Sequence, residues 1–560
     1  MKNNKNGFAL PTVLVASIVM LMVLLVAVVS TSAVRSSLNS QYYGQLAKTA
    51  AEAGVTYAKA CLDLNGNIPK WTDAKPLTPK TNCSGDTING ATDLVLQDAL
   101  NKLTTTFSVG CSGCSTGQKL YDISAAGTTN LLRSDGSQWR QYVQTARLGG
   151  FEVKMSWKQV SAGNTATCGI DSVGRVYCWG SGYIVPDGFA DVPKFVDFSG
   201  VTPSAVTAIS LGVGHACAIA GGKAYCWGDN DRGRLGNPTI TNDTPSPVPV
   251  NIDSGLSGKT VTDISAANDH TCAVADGRAY CWGSDYEPSY GTPYYNQLGT
   301  GSVAGGSVVP ALVMADGALR DKTVTKISAG YTHTCAVADG RAYCWGNNQF
   351  GQLGTRNTTG AYVPIAVDAT TQPYFDSALL GKTVLSVSAG YMHTCAITAD
   401  AANNAACWGL NSFGEVSIPV ATNPANYPRA VSGAIYNKKV INISAGGDQA
   451  YGGGGHTCAI DESGSAYCWG KNYLGKLGKG DATNTYIPSY VISGSGYALN
   501  GRIVKFISAG VNHNCAVDNQ GSAYCWGDNR FRQLGDQGTS GDQSAIPVVT
   551  FGPPATAIYF

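Results

Sequence analysis

The residues of this 560-residue chain with chemistry to offer are its 18 cysteines and six histidines. Fourteen of the cysteines fall into seven pairs: Cys168/Cys178, Cys217/Cys226, Cys272/Cys281, Cys335/Cys344, Cys395/Cys407, Cys458/Cys468 and Cys515/Cys525. Dense cysteine admits metal binding or disulfide formation. Structural zinc sites use closely spaced CxxC-type pairs, and none recurs in these units, so the spacing points to disulfides. His215, His270, His333, His393, His456 and His513 each stand two residues before a repeat cysteine, and Ala166 holds that place in the first copy. Histidines that recur with the fold read as partners of a turn or backbone group, and none is left elsewhere to act as a general base. Asp229-x-Asp231-x-Gly233 has the first spacings of a calcium loop but lacks the closing glutamate. The chain has no nucleophile elbow, phosphate loop or carboxylate pair. No enzyme activity, metal or cofactor is expected.

The elements that position these residues come from a fourteen-residue phrase, such as His270-Thr-Cys-Ala-Val-Ala-Asp-Gly-Arg-Ala-Tyr-Cys-Trp-Gly283, that recurs seven times at intervals of 49 to 63 residues. Asp276-Gly277 predicts a two-residue type I′ hairpin, because both turn positions need positive φ. That turn sets Cys272 opposite Cys281 in a non-hydrogen-bonded pair, where side chains approach most closely. Gly221-Gly222 and Asp339-Gly340 set the same register. Three copies carry one more residue between their cysteines and end a three-residue loop in Gly174, Gly464 or Gly521, which suits a type I turn closed by a left-handed glycine. Only Cys395/Cys407 has a longer loop. Each bridge contributes up to roughly 3 kcal/mol by the chain-entropy model.

Each unit has two further strand-like runs. One precedes the hairpin, as in Val324-Thr-Lys-Ile-Ser-Ala-Gly330. The other follows it and carries a proline (Pro193, Pro249, Pro310, Pro364, Pro428, Pro488 or Pro547), which suits an edge strand. Four strands in each of seven units predict a seven-bladed β-propeller over residues 156–552, with the last strand, Ile546–Phe551, completing the sheet begun by Trp157–Gly163 and closing the ring. Asn230, Asn348, Asn411, Asn472 and Asn529 read as turn formers. Ala329-Gly-Tyr-Thr-His333-Thr334 and Trp345-Gly-Asn-Asn-Gln-Phe-Gly-Gln-Leu-Gly354 carry the signature by which these units resemble the regulator of chromosome condensation repeat family. The resemblance implies the propeller and no particular function.

The front of the chain is different. Lys2 and Lys5 precede an uncharged run from Phe8 to Val34, and about 22 residues of helix already span roughly 33 Å, enough for a bilayer. The lysines predict a cytoplasmic start and an exported remainder. The basic leader, the Gly7-Phe8 junction, Pro11 and the long apolar run resemble the leader of type IV pilins and pseudopilins. By that resemblance residues 1–7 are a leader cut after Gly7 by a prepilin peptidase, with methylation at Phe8. Residues 8–62 are then a transmembrane and filament-core helix whose continuation presents Leu38, Tyr42, Leu46, Ala50, Ala53, Tyr57 and Cys61 on one face. Thr12 stands where shaft-forming pilins carry glutamate, which favours a tip or priming subunit.

Residues 63–155 are expected to form a small α/β pilin-like domain, and residues 553–560 a tail. Cys61, Cys83, Cys111 and Cys114 are expected to be structural disulfides, with Cys61–Cys83 and Cys111–Cys114 one of several possible pairings. A redox reading of Cys111-Ser-Gly-Cys114 lacks its strand-to-helix context. With all cysteines paired, the chain suits an oxidising exterior.

Only 13% of residues are charged and the net charge is +1, so nucleic acid is not an expected partner. Ligand contact is expected where the repeats are interrupted: Tyr286, Tyr290, Tyr294 and Tyr295 in one loop, Asp448 and Tyr451 in another, tyrosine offering contact area with few rotatable bonds. A tolerated surface insertion is the competing reading of both loops. The functional expectation is a minor or tip subunit of a type IV pilus or related filament. It would start as a single pass in the cytoplasmic membrane with its C-terminus outside and then move to the cell surface. Its partners would be other pilins, the prepilin peptidase and a surface protein or glycan. The alternatives are a part of the filament-assembly machinery and a membrane-anchored inhibitor of a secreted enzyme.

Overall fold

The computed structural model describes residues 32–64, 75–88, 96–98, 102–112, 120–152, 156–198, 205–250, 255–285, 296–301, 305–314, 317–368, 377–418, 423–447 and 454–550. They fall into two compact units, residues 1–154 with 555–560, and residues 155–554.

In the first unit helix α1 (Ser32–Leu64) lies on an antiparallel meander of β1 (Leu96–Asp98), β2 (Leu103–Ser112), β3 (Leu120–Leu132) and β4 (Gln138–Glu152). Small residues set the contact. Ala47, Ala50, Ala51 and Ala58 are buried, and a Cβ on Gly127 of β3 would sit 1.9 Å from the Ala47 carbonyl oxygen. The buried face is therefore rotated from the expected stripe. Leu46, Ala50 and Cys61 are on it, whereas Ala53 and Tyr57 are half-buried. Close backbone approach, not bulk, decides which side of the helix meets the sheet.

The Cys61 and Cys83 sulfurs are bonded at 2.04 Å. Cys111 is buried on β2, and Cys114 lies outside the described residues, as do Gly7, Phe8 and Thr12. The expected membrane pass falls on the uncharged run Phe8 to Val34, of which residues 8–31 lie outside the described residues, and among the described residues no helix is long and apolar enough to cross a membrane.

The second unit is seven sheets of four antiparallel strands, each sheet built from one continuous stretch of chain: blade 1 (157–196), blade 2 (206–249), blade 3 (261–312), blade 4 (324–366), blade 5 (384–430), blade 6 (440–490) and blade 7 (504–549). The first strands of successive blades adjoin all round, blade 7 returning to blade 1. The second and third strands form the cysteine hairpin. Ala275 faces Arg278 and Cys272 faces Cys281, with Asp276 and Gly277 at φ 47° and 72° as the type I′ turn requires.

Every blade carries one bridge, from its second strand to its third. The bonded pairs are Cys168–Cys178, Cys217–Cys226, Cys272–Cys281, Cys335–Cys344, Cys395–Cys407, Cys458–Cys468 and Cys515–Cys525, each with Cα atoms 4.1 Å apart. The longer loop between Cys395 and Cys407 leaves the register unchanged, because these two residues still face each other directly. The fourth, proline-bearing strand is the outer edge.

The expected mode of closure is corrected. The last strand, Gln543–Val549, pairs with the third strand of its own blade, and blade 1 has its own fourth strand, Phe189–Val196. The repeat phase begins each blade at the inner Ser-Ala-Gly strand, so no sheet is shared between the chain's two ends.

Closure rests on side chains instead. The serine of each inner strand accepts a hydrogen bond from a backbone N–H of the next blade's inner strand. The pairs are Ser161 with Leu211, Ser210 with Ala266, Ser265 with Ala329, Ser328 with Ala389, Ser388 with Ala445, Ser444 with Ala509, and Ser508 with Ala162, at 2.9–3.0 Å. Seven bonds close the circle. Ser508→Ala removes the one that joins the ends, and unfolding in guanidinium should show a loss of about 1–3 kcal/mol, the penalty for a stranded N–H. An unchanged midpoint would show that this bond does not hold the ring.

Candidate functional site

Two rims follow from the strand directions. The ends of strands one and three of every blade share a loop rim. The cysteine hairpins and the links between blades share the opposite, hairpin rim.

The repeat cysteines take no part in either rim's chemistry. On the third strands Cys178, Cys226, Cys281, Cys344, Cys407, Cys468 and Cys525 are fully buried, as are their partners on the second strands, Cys168, Cys217, Cys272, Cys335, Cys395, Cys458 and Cys515. Bridged sulfur inside a blade is neither a thiolate ligand nor a nucleophile, so these residues belong to the scaffold.

Six of the seven seams between blades carry a relay near the loop rim. The Nε2 of His215, His270, His333, His393 and His513 lies 2.7–2.9 Å from a threonine hydroxyl of the next blade: Thr271, Thr334, Thr394, Thr457 and Thr167. His456 meets the Asn514 side-chain oxygen instead, at 2.7 Å. Each threonine hydroxyl donates onward to a carbonyl of the preceding blade, on Arg234, Gln297, Gln352, Glu415 or Gln533. Its proton is thus committed, so Nε2 must carry the ring proton. The other ring nitrogen, Nδ1, has no partner among the described residues in any of the six.

Burial accordingly pushes His270, His333 and His393 down to about 3 and His513 to about 4. It holds His215 and His456 well below the ordinary range. These histidines are neutral hydrogen-bond donors, not acid–base groups. The same carbonyls accept the indole N–H of the next blade's tryptophan, as Gln352 does from Trp408 at 2.9 Å.

The turn that supplies this carbonyl, Gly-Gln-Leu-Gly over residues 351–354 in blade 4, also positions the rim. The side chains of Gln352, Glu415 and Gln533 accept the N–H of Phe350, Phe413 and Phe531, two residues earlier, at 2.8–2.9 Å. Three aromatic rings are thereby fixed on the loop rim. Phe350 joins a larger cluster in blades 4 and 5: Tyr391, Met392 and Leu410 are buried, with half-buried Tyr331 and Phe350 against them. The Tyr331 and Tyr391 rings meet edge to face at 5.1 Å, and the Lys471 ammonium stands 5.0 Å over Phe413. Burial raises Glu415 to about 7, opposed by the N–H groups it accepts, Phe413 at 2.8 Å and Gly455 at 3.2 Å. Burial likewise raises Asp285 to about 6, against the N–H of Leu298.

The candidate contact residues Tyr286, Tyr290, Tyr294, Tyr295, Asp448 and Tyr451 lie outside the described residues. Their flanks do not. Asp285 and Asn296 end on the loop rim of blade 3, and Gly447 and Gly454 on that of blade 6. Blades 3 and 6 stand on either side of blades 4 and 5, which carry the aromatic cluster. At the calcium-like spacing, Arg234 lies 3.5 Å from Asp229 and 3.0 Å from Asp269, and no group of residues able to hold a metal is found among the described residues.

Sequence reasoning missed the threonine relay. A signal was present: the first copy lacks the histidine (Ala166) and the second lacks the following threonine (Ala216). The two losses meet at one seam only if each histidine pairs with the next blade.

An RCC1-like domain model matches residues 182–553, and a regulator of chromosome condensation (RCC1) repeat model matches residues 157–183. The ultraviolet-B receptor UVR8 of Arabidopsis thaliana is 30% identical over 353 residues, covering 62% of this chain and 71% of the receptor. Protein pim1 of Schizosaccharomyces pombe is 26% identical, covering 67% of this chain and 70% of its own. The E3 ubiquitin-protein ligase HERC2 of Homo sapiens is 25% identical, but this chain spans only 6% of its length. Among solved structures, yeast RCC1 (Prp20) bound to Kap60 matches with a TM-score of 0.54 at 20% identity, covering 70% of this chain and 85% of that one. Human WBSCR16 matches with 0.52 at 20% identity, covering 65% and 85%.

These matches correct the functional expectation. They fall on the propeller and tie it to a receptor, ubiquitin ligases and RCC1-type proteins. The filament-subunit function, its pilin and prepilin-peptidase partners, the membrane-to-pilus location and both alternatives tied to them are set aside. That expectation rested on residues 1–62, whereas the matched part begins at residue 157.

The seam can be tested by substitution and by pH. His333→Ala and Thr394→Val should each cost about 1–3 kcal/mol in denaturant unfolding, by stranding the other's polar group. The double variant should lose less than the sum by about 1 kcal/mol, and strict additivity would dissolve the relay.

For pH, the histidines sit below their unfolded value of 6.5, so the unfolded chain takes up protons first, and their stabilisation is lost as pH falls below 6.5. Each contributes about 1.4 kcal/mol per pH unit in that window. Glu415 has the opposite sign: raised from 4.5 to about 7, it loses stability as pH rises between those values. The unfolding midpoint should thus be lower at about pH 5 than at about pH 7, and the drop should be larger in Glu415→Gln. A smaller drop in the variant would contradict the assignment.

Proposed function

The chain belongs to the RCC1-like domain family of β-propellers, and from that premise we propose that it is a non-catalytic protein-binding module whose contact face is the loop rim of blades 3–6. The observation that carries this is the pair of half-buried rings Tyr331 and Phe350, seated on buried Tyr391, Met392 and Leu410, with the half-buried Phe413 ring and the Lys471 ammonium over it on the same rim. Aromatic side chains held rigidly at a surface bring large contact area with little entropy left to lose. The two interruptions, with Tyr286, Tyr290, Tyr294, Tyr295, Asp448 and Tyr451, would extend the face on either side.

A protein partner is supported by the RCC1-type structures. Yeast Prp20 was solved bound to Kap60, and the Saccharomyces cerevisiae protein is described with binding to Gsp1p and histones. Rigidity suits the task. Seven hairpin disulfides and a closed ring of blades leave the rim with little reorganisation to undergo on binding.

A photo-crosslinking residue placed at exposed Ser412, beside Phe413, should trap a protein partner, and one at exposed Lys223 on the hairpin rim should not. Phe350→Ala combined with Phe413→Ala should reduce the Ser412 product by about tenfold or more while the thermal midpoint stays near wild type. Equal trapping from Ser412 and from Lys223, which lies in blade 2, or a product indifferent to the two phenylalanines, would reject the loop-rim site.

A further inference from the structure

The propeller provides its own control, since one backbone position occurs in several blades under the same conditions of exposure. At the hairpin rim three positions recur: one in the link between blades, one just before the inner strand, and the second residue of that strand. In blade 3 they are Ser257, Thr260 and Thr262, and in blade 4 Arg320, Thr323 and Thr325, all polar. In blade 5 they become Leu380, Thr383 and Leu385, in blade 6 Tyr436, Lys439 and Ile441, and in blade 7 Asn500, Ile503 and Lys505. Leu380 and Tyr436 are each 58% exposed and Leu385 53%. Ile441 and Ile503 are also exposed, and so is Tyr497 three residues before Asn500. Polar residues serve the same backbone positions in blades 3 and 4, so the fold does not require these apolar ones. They sit in three consecutive blades on one rim, and exposed apolar side chains gathered on one face in this way mark an interaction site.

The charges indicate the occupant. Lys382 pairs with Asp400, Lys438 with Asp461 and Arg502 with Asp518. Lys439 and Lys505, both exposed, have no carboxylate partner among the described residues. The patch thus offers apolar side chains with two uncommitted ammonium groups between them. We infer that the hairpin rim of blades 5–7 is a second protein-docking surface, independent of the loop rim, for an amphipathic segment whose apolar stripe is flanked by carboxylates. An anionic membrane fits less well, because Glu462 and the paired carboxylates are interleaved with the cations and a charged sheet of headgroups would face them too. A peptide places its charges one at a time.

The test is to pan a displayed library of random peptides of about sixteen residues, roughly 24 Å as helix, against the full chain. Enriched peptides should carry apolar residues at helical spacing together with aspartate or glutamate. A synthetic winner should bind the wild-type chain and lose about tenfold or more on Leu385→Thr with Ile441→Thr and Tyr436→Ser. These changes copy the residue types of blades 3 and 4, so the thermal midpoint should hold. Lys439→Thr alone should weaken binding and flatten its salt dependence. The inference is overturned if no peptide is enriched, or if the winners lack acidic residues. It is also overturned if the triple variant binds as well as wild type, or if Phe350→Ala with Phe413→Ala abolishes binding. Sedimentation with phosphatidylserine vesicles that depends on the same residues would make the occupant a lipid surface and overturn it as well.

Discussion

One backbone carbonyl per seam organises the ring. In blade 4 it belongs to Gln352, and it accepts both the Thr394 hydroxyl and the Trp408 indole N–H of blade 5. A four-stranded blade has two apolar faces and cannot bury either alone, so its tryptophan must pack against a neighbour, and all seven of these tryptophans are fully buried. Burying an indole requires a partner for its N–H. The turn of the preceding blade supplies that partner, and tryptophan and turn can then only dock in one register. The second glycine of the turn follows from the same contact: a Cβ on Gly354 would lie 2.8 Å from the Trp408 ring nitrogen, at a φ of 70° that also favours glycine.

Because the seam uses a main-chain oxygen, the side chain of that residue is free to vary. Ile184, Arg234, Gln297, Gln352, Glu415, Lys476 and Gln533 all supply the same carbonyl. Their side chains do different work. Gln352 and Gln533 fix an aromatic residue in the turn, while Lys476 reaches across to Val511 and Asn512 of the next blade. Glu415 replaces the usual amide where blade 6 presents the N–H of Gly455, which a carboxylate can accept and an amide nitrogen cannot. A uniform scaffold and a non-uniform rim thus arise from the same seven turns.

The local chemistry of the hairpins was legible in the sequence, because turn type, glycine position and cysteine spacing constrain one another within fourteen residues. The closure was not. Whether Ile546–Phe551 completes the first blade or its own depends on the phase of the repeat, and phase is a long-range property that strand patterns do not encode. The serine that closes the ring looks like any polar residue at the end of a strand. The helix face was legible in kind and wrong in angle, since hydrophobic spacing weights Tyr57 and Ala53 above Ala47 and Ala51, while the sheet selects for closeness. The function was misread because the leader-like start of the chain carried more weight than the propeller. The loop-rim cluster was missed because Tyr331 and Tyr391 are sixty residues apart and meet only through neighbouring blades.

The seam between blades 1 and 2 shows how such a relay can be lost without damage. Ala166 replaces the histidine and Ala216 its partner, and both are fully buried in one apolar cluster. Had only one changed, a buried N–H or hydroxyl would have been stranded, at about 1–3 kcal/mol. With both changed, two methyl groups share the apolar cluster and neither position brings a polar atom that needs a partner. The inner serine bond from Ser161 and the indole bond from Trp227 to Ile184 persist there. The relay is therefore an addition to a seam already held by serine, tryptophan and carbonyl, and it is kept or dropped only as a pair. Variation elsewhere on the rims needs no such coordination, since those side chains face solvent. That freedom is why the places where copies differ, and not the phrase they share, are where this molecule's specificity is to be sought.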